Sequence, residues 1–216
     1  MDTVQHVERF TESLDWVTLI LLTCFVLLTL LKILYPKRFE EFIMLPLTNK
    51  YFWIQGKGSE IQHPFNLIFF INQVLLVSLF IYLFFSEEAQ ANSWLYLHIC
   101  TAYCVFILVK IIIEKIVGTL FSIEKIVDSY IYHKLSYRNL LSLLFFVVNI
   151  GLFYLLEPSQ TLLFFLAAFF ILCHLISLLH SYKSYKKIIL GNFLYFILYL
   201  CALEISPYIL LYNVLS

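Results

Sequence analysis

The feature that most constrains this chain is a series of long, solidly apolar segments, broken only by short polar stretches. A helix needs about 20 mostly apolar residues to cross a hydrocarbon core of about 30 Å. Six stretches reach that length: 14–35, 65–85, 94–121, 136–156, 161–180 and 188–212. The breaks are chemically plain. Pro36-Lys37-Arg38 ends the first, Ser86-Glu87-Glu88 with Asn92 follows the second, Glu157-Pro158-Ser159-Gln160 follows the fourth, and Tyr182 to Lys187 closes the fifth. A membrane β-barrel would alternate polar and apolar residues along each strand, and these runs do not alternate. The pattern predicts an all-α membrane protein. It is one domain over 1–216, a bundle of six transmembrane helices with amphipathic or interfacial helices on the cytoplasmic side. Charged residues make up 13% of the chain and hydrophobic ones 62%, against about 25% charged in soluble domains. A water-soluble fold could not cover that much apolar side chain.

Orientation follows from the basic residues. Lys32, Lys37, Arg38, Lys50 and Lys57 flank or fill the first connection, and Lys110, Lys115, Lys125, Lys134 and Arg138 surround the third. Lys183, Lys186 and Lys187 fill the fifth, which leaves Arg9 as the one basic residue on the opposite side. Cytoplasmic loops carry the excess of lysine and arginine. Both termini are therefore expected outside the cytoplasm, which for a bacterial inner membrane means the periplasm. The N-terminus is acidic and no small-residue cleavage motif follows the first run, so an uncleaved first helix is expected. No basic block tracks a nucleic-acid backbone, which excludes nucleic-acid partners. Cys24, Cys100, Cys104, Cys173 and Cys201 all fall in apolar runs and imply no disulfide framework.

Two connections on the basic side look structured. The loop 36–64 places Phe39, Phe42 and Ile43 at helical spacing beside charged residues, and Tyr51, Phe52, Trp53 and Ile54 follow. Aromatics mixed with charge suit the headgroup zone, and they equally suit a docking surface for a protein partner. In the segment 122–135, Ile123, Ile126, Val127, Tyr130 and Ile131 form one apolar stripe, with Glu124, Lys125 and Asp128 off it. That amphipathic helix can continue the third span beyond the membrane. The segments YPKRFEEF (35–42), NKYF (49–52), FNLIFFINQVLLVSLFIYLFF (65–85) and VDSYIYHKLSYRNLLSLL (127–144) resemble a family of small inner-membrane proteins of Bacteroidota, the domain of unknown function 4271. The resemblance covers most of the chain. It implies a bacterial inner membrane and a multi-span bundle, and it brings no catalytic residue.

Ionisable and amide side chains at membrane depth are costly and are the first places to look for function. Glu204 lies deep in the last run, followed by Ser206-Pro207, where proline removes a backbone hydrogen bond and can kink the helix. Asn72 and Gln73 fall near the middle of the second run, Asn149 in the fourth and His174 in the fifth. Glu204 and Asn149 share the outer half and could meet, giving a proton or cation site; the plainer reading is a carboxyl held by helix-to-helix hydrogen bonds. Lys110 and Glu114 stand four apart and can pair along one helix, with Lys115 reaching toward the headgroups. His98, Cys100 and Cys104 form an H-x-C-x3-C pattern, but His98 points away from Cys100 and nothing completes a ligand set.

No enzyme motif appears: there is no H-E-x-x-H, no G-x-S-x-G and no phosphate-cradling glycine loop. The sequence therefore predicts no catalytic residue, cofactor or metal. The function it favours is a non-catalytic accessory or scaffold subunit of a cell-envelope assembly. It would sit in the lipid bilayer and dock a membrane or cytoplasmic protein through Phe39, Phe42, Tyr51, Phe52 and Trp53. The alternative is a small transporter or lipid-handling protein using the polar residues around Glu204.

Overall fold

A computed structural model describes residues 15–45, 63–85, 93–120, 122, 124–156 and 159–189. Among the described residues the chain is all-helical. Six α-helices follow in order: α1 (Asp15–Leu34), α2 (Pro36–Ile43), α3 (Pro64–Phe84), α4 (Ser93–Leu120), α5 (Glu124–Ile150) and α6 (Gln160–Ile189). A short π-helical turn, Gly151–Leu155, extends α5. Five of the helices are long and apolar enough to cross a membrane, all but α2. This is consistent with a multi-pass membrane protein. The break expected at 182–187 is helical instead, because α6 runs on to Ile189, and the sixth predicted span, 188–212, lies outside the described residues from residue 190 on.

The five long helices run alternately up and down. At one end, Trp16 near the start of α1 packs edge-on against Tyr82 at the end of α3 (5.2 Å between centroids) and at a tilt against Tyr96 at the start of α4 (5.4 Å). Thr18 and Tyr154 share a 2.6 Å hydrogen bond there, bringing the end of α5 beside the start of α1. At the other end, Leu31, Phe42, Phe65, Phe69 and Tyr132 form one buried cluster from α1, α2, α3 and α5.

α3 is the hub, touching α1, α4, α5 and α6. In its central window 56% of residues are buried, against 22% or less in the other four spans. The outer helices turn large apolar side chains outward, among them Leu22, Phe25, Val105, Ile112, Phe165 and Ile171. That surface suits hydrocarbon and would be untenable in water. Large rings fill the joints, as expected of a chain with so few glycines: Phe145 of α5 stacks on Phe170 of α6 at 3.7 Å and Phe80 of α3 meets both.

Two further sequence expectations need correction. The amphipathic segment 122–135 continues into the fourth span, not out of the third. α4 ends at Leu120, Ser122 adopts a left-handed backbone (φ 55°), and α5 then runs unbroken from Glu124. Gly118 lets the two helices close tightly, because a Cβ there would lie 3.1 Å from the Val127 side chain. The second correction concerns the loop 36–64. Its first part is helical, as the spacing predicted, but Phe42 is wholly buried and Phe39 half-buried, stacked on Phe69. Phe42 sits 4.6 Å from the Phe69 ring, so it serves internal packing and presents nothing to a partner. Tyr51, Phe52 and Trp53 lie outside the described residues.

Candidate functional site

The polar residues at depth gather on the seam of α3, α4 and α5. Two antiparallel helices face each other with the same spacing. Ile107, Lys110, Ile111 and Glu114 of α4 line one wall of a cleft, and Ile131, Lys134, Leu135 and Arg138 of α5 line the other. Positions i, i+3, i+4 and i+7 share a helical face, so each helix alternates apolar and charged groups into the same gap. The space between the side chains is about 10 Å³, roughly the room one water requires.

The charges there are desolvated. Lys134 Nζ donates to Glu114 Oε1 at 2.6 Å, with the two side chains 6% and 1% exposed. Lys110 is buried as well. Toward the middle of α3, Arg138 Nε donates to Gln73 Oε1 (3.3 Å), and Gln73 Nε2 donates to the Tyr103 hydroxyl oxygen (3.0 Å). The Gln73 amide thus bridges α5 to α4 across α3. Arg138 Nη2 is buried and makes no hydrogen bond, and neither amide atom of Asn72 or Asn139 has a partner although both residues are fully buried. Most buried polar atoms in folded proteins are paired, so three such side chains along one seam call for an explanation.

The residues singled out from sequence are only partly brought together. Asn72 and Gln73 lie on this seam. Asn149 lies on it too, but nearer the opposite end, where its Nδ2 donates to the Leu76 carbonyl at 2.9 Å and its Oδ1 is unpartnered. His174 sits half-buried on α6 and does not line the cleft. Glu204 lies outside the described residues, so its meeting with Asn149 does too. His98 turns its Nδ1 to the Trp94 carbonyl at 2.7 Å, within its own helix. The sequence reading left Lys134 outside the spans and used Arg138, inside the predicted fourth span, only as a marker of orientation. It also paired Glu114 with Lys110 alone, whereas Glu114 holds Lys134 of the next helix. The matched charge spacing on α4 and α5 was the signal that could have found them.

A polar seam enclosed by helices long and apolar enough to span a membrane is consistent with a helical multi-pass membrane protein. The family is also clear. A family model described as "Domain of unknown function (DUF4271)" matches residues 17–215, nearly the whole chain, and the chain belongs to that family. No curated protein and no solved structure matches it.

Proposed function

We propose that this chain is a multi-pass protein of a bacterial inner membrane, with six spans and both termini periplasmic. On this reading it handles an anionic ligand at the cleft between α4 and α5, as a small transporter or lipid-handling protein, and carries out no chemical step. The observation that carries the reading is the cleft itself: Lys110, Lys134 and Arg138 face a single carboxylate, Glu114, among its lining residues. Ionisable side chains inside a membrane bundle are expensive, and those that persist commonly mark substrate or ion paths. Among the described lining residues cations outnumber carboxylates, and a cleft lined mainly by one sign of charge concentrates ions of the other. The orientation is supported by Lys32, Lys37, Arg38, Lys110, Lys115, Lys134 and Arg138, which all belong to one end of the alternating helices while Asp15 starts the other.

Arg138→Gln keeps a polar group of similar reach and removes the charge. At matched membrane levels it should fail to restore the defect of a strain lacking the gene. Full restoration would contradict the reading. Reporter fusions should place Lys186 in the cytoplasm and Ser216 in the periplasm.

A second reading keeps the accessory-subunit role, with the loop 36–64 docking a protein partner. In its favour, both ends of the loop are pinned at one place: Tyr35 meets His63 at 5.2 Å and Arg38 lies over the Phe65 ring at 5.2 Å. The intervening Tyr51, Phe52 and Trp53 would then form the surface, without Phe42. Replacing Phe52 and Trp53 with serine should abolish recovery of a partner in mild detergent. Retention at wild-type level would leave the loop as a membrane cap.

A further inference from the structure

We infer that the α3–α5 seam binds a file of water molecules, running from Arg138 past Asn139 and Asn72 to Asn149, which hydrates the bundle well inside the membrane. The inference goes beyond the anion-handling reading and stands without it. Three observations support it.

The first is placement. Asn72, Asn139 and Asn149 are each 0% exposed and belong to the two helices with the most extensive contact in the bundle. Phe69, three residues before Asn72, packs in the same cluster as Leu143, four residues after Asn139. Leu76, four residues after Asn72, accepts the Asn149 amide on its carbonyl at 2.9 Å. Residues three and four apart share a helical face, so these amides stand along one seam. From Arg138 to Asn149 the chain climbs 11 residues of α5. At about 1.5 Å per residue that is about 16 Å, roughly half of a hydrocarbon core of about 30 Å.

The second is the kind of group left over. Asn72 and Asn139 each hold an unpartnered Nδ2 and an unpartnered Oδ1, Asn149 an unpartnered Oδ1 and Arg138 an unpartnered Nη2. Donors and acceptors therefore alternate along the seam. An anion would satisfy the donors alone. A metal cation would satisfy the acceptors alone, beside a guanidinium that repels it. Water both donates and accepts, and a buried water typically makes about 2–4 hydrogen bonds to groups that otherwise lack partners. Amides left dry at this depth are costly.

The third is the end of the seam at Arg138. Arg138 forms no ion pair among the described residues. The space it lines is about 10 Å³, close to the room one water needs. Its Nε donates to Gln73, and Gln73 in turn donates to the Tyr103 hydroxyl oxygen, which leaves the Tyr103 proton to be given onward. Charged side chains inside a membrane bundle turn toward hydrated interiors. Water there solvates a guanidinium that no carboxylate neutralises.

The test is water-edited solid-state NMR on the isotopically labelled full-length protein in phosphatidylcholine bilayers. The rate at which magnetisation passes from water to a side chain reads how near the water lies. Transfer to the Asn72 and Asn139 side-chain amides should be severalfold faster than to the methyls of Leu79, which is equally buried on α3. Asn139→Leu should slow the transfer to Asn72 severalfold, because the two amides share the file. Asn139→Ser keeps a polar group and should preserve it, which separates loss of water from disturbed packing. Transfer to Asn72 and Asn139 as slow as to Leu79 would overturn the inference. So would slow transfer with a direct cross-peak between the two amides, since they would then pair dry. Fast transfer at Arg138 alone would reduce the file to one water in the cleft and overturn it as well. Equal slowing by Asn139→Ser and Asn139→Leu would also contradict it. The anion-handling reading turns on complementation by Arg138→Gln, which none of these outcomes decides.

Discussion

The two ends of this bundle are closed in different ways. At the end holding Trp16, Tyr82, Tyr96 and Tyr154, rings meet edge-on and each polar tip with a recorded bond finds a neutral neighbour: the Tyr96 hydroxyl donates to the Leu75 carbonyl at 3.3 Å, and Tyr154 shares a hydrogen bond with Thr18. At the opposite end, the helices are joined by Glu114, Lys134 and Arg138 around a narrow cleft, with orphaned amides beside them. Aromatic residues with one wet edge are the ordinary seal of a membrane boundary. Desolvated charge is a costly seal, and apolar side chains of the same size would serve packing as well or better. Packing accounts for the ring contacts at the first end, and it does not account for the charges at the second.

The largest expected effect comes from breaking the buried ion pair from one side. Glu114→Gln or Lys134→Gln should each cost about 3–5 kcal/mol, because the remaining partner stays buried and uncompensated. Replacing both with leucine should recover most of that loss. Thermal unfolding in detergent without added lipid measures all three. If the double replacement is as unstable as the singles, the pair is structural and the contrast between the two ends disappears.

Next in size is Phe42→Ala, which should cost about 3 kcal/mol through the cavity it opens against Phe65 and Phe69. Loss of partner binding without loss of stability would show instead that Phe42 is a docking residue. Asn72→Leu should lie within about 1 kcal/mol of wild type, on either side, since its amide makes no hydrogen bond to lose. The variant sharpens the comparison: unchanged stability with lost cellular function would assign Asn72 to a ligand path. Lys115→Ala should cost under about 1 kcal/mol, because Lys115 and Asp128 pair at 3.6 Å with side chains 44% and 50% exposed.

These contrasts also show what a sequence can disclose. Five long apolar helices were legible because hydrocarbon imposes length and apolarity together, though the end of the fifth was not, since α6 continues to Ile189. The helical start of the loop 36–64 was legible from the spacing of Phe39, Phe42 and Ile43. The direction in which those rings point was not, because burial against Phe65 and Phe69 depends on α3, far along the chain. Glu114 illustrates the same limit. Four residues from Lys110, it reads as one half of a self-contained pair, while its partner Lys134 arrives only after a reversal at Ser122. That turn carries no glycine or proline to announce it. Glu204, the residue on which the sequence argument for transport leaned most, lies outside the described residues, and the charge between α4 and α5 now carries that argument instead.

The central claim is that the α4–α5 cleft is electropositive and open to an anion. It is tested most directly by placing a cysteine at Ile111, in its wall, after replacing the native cysteines with alanine. Two thiosulfonate reagents of similar size and opposite charge are then compared in native membranes. Focused charge in a cleft raises the encounter rate of the opposite charge by about tenfold or more. The anionic reagent should therefore react about tenfold faster than the cationic one, and Arg138→Gln should erase the preference. Equal rates, or a faster cationic reagent, would contradict the account.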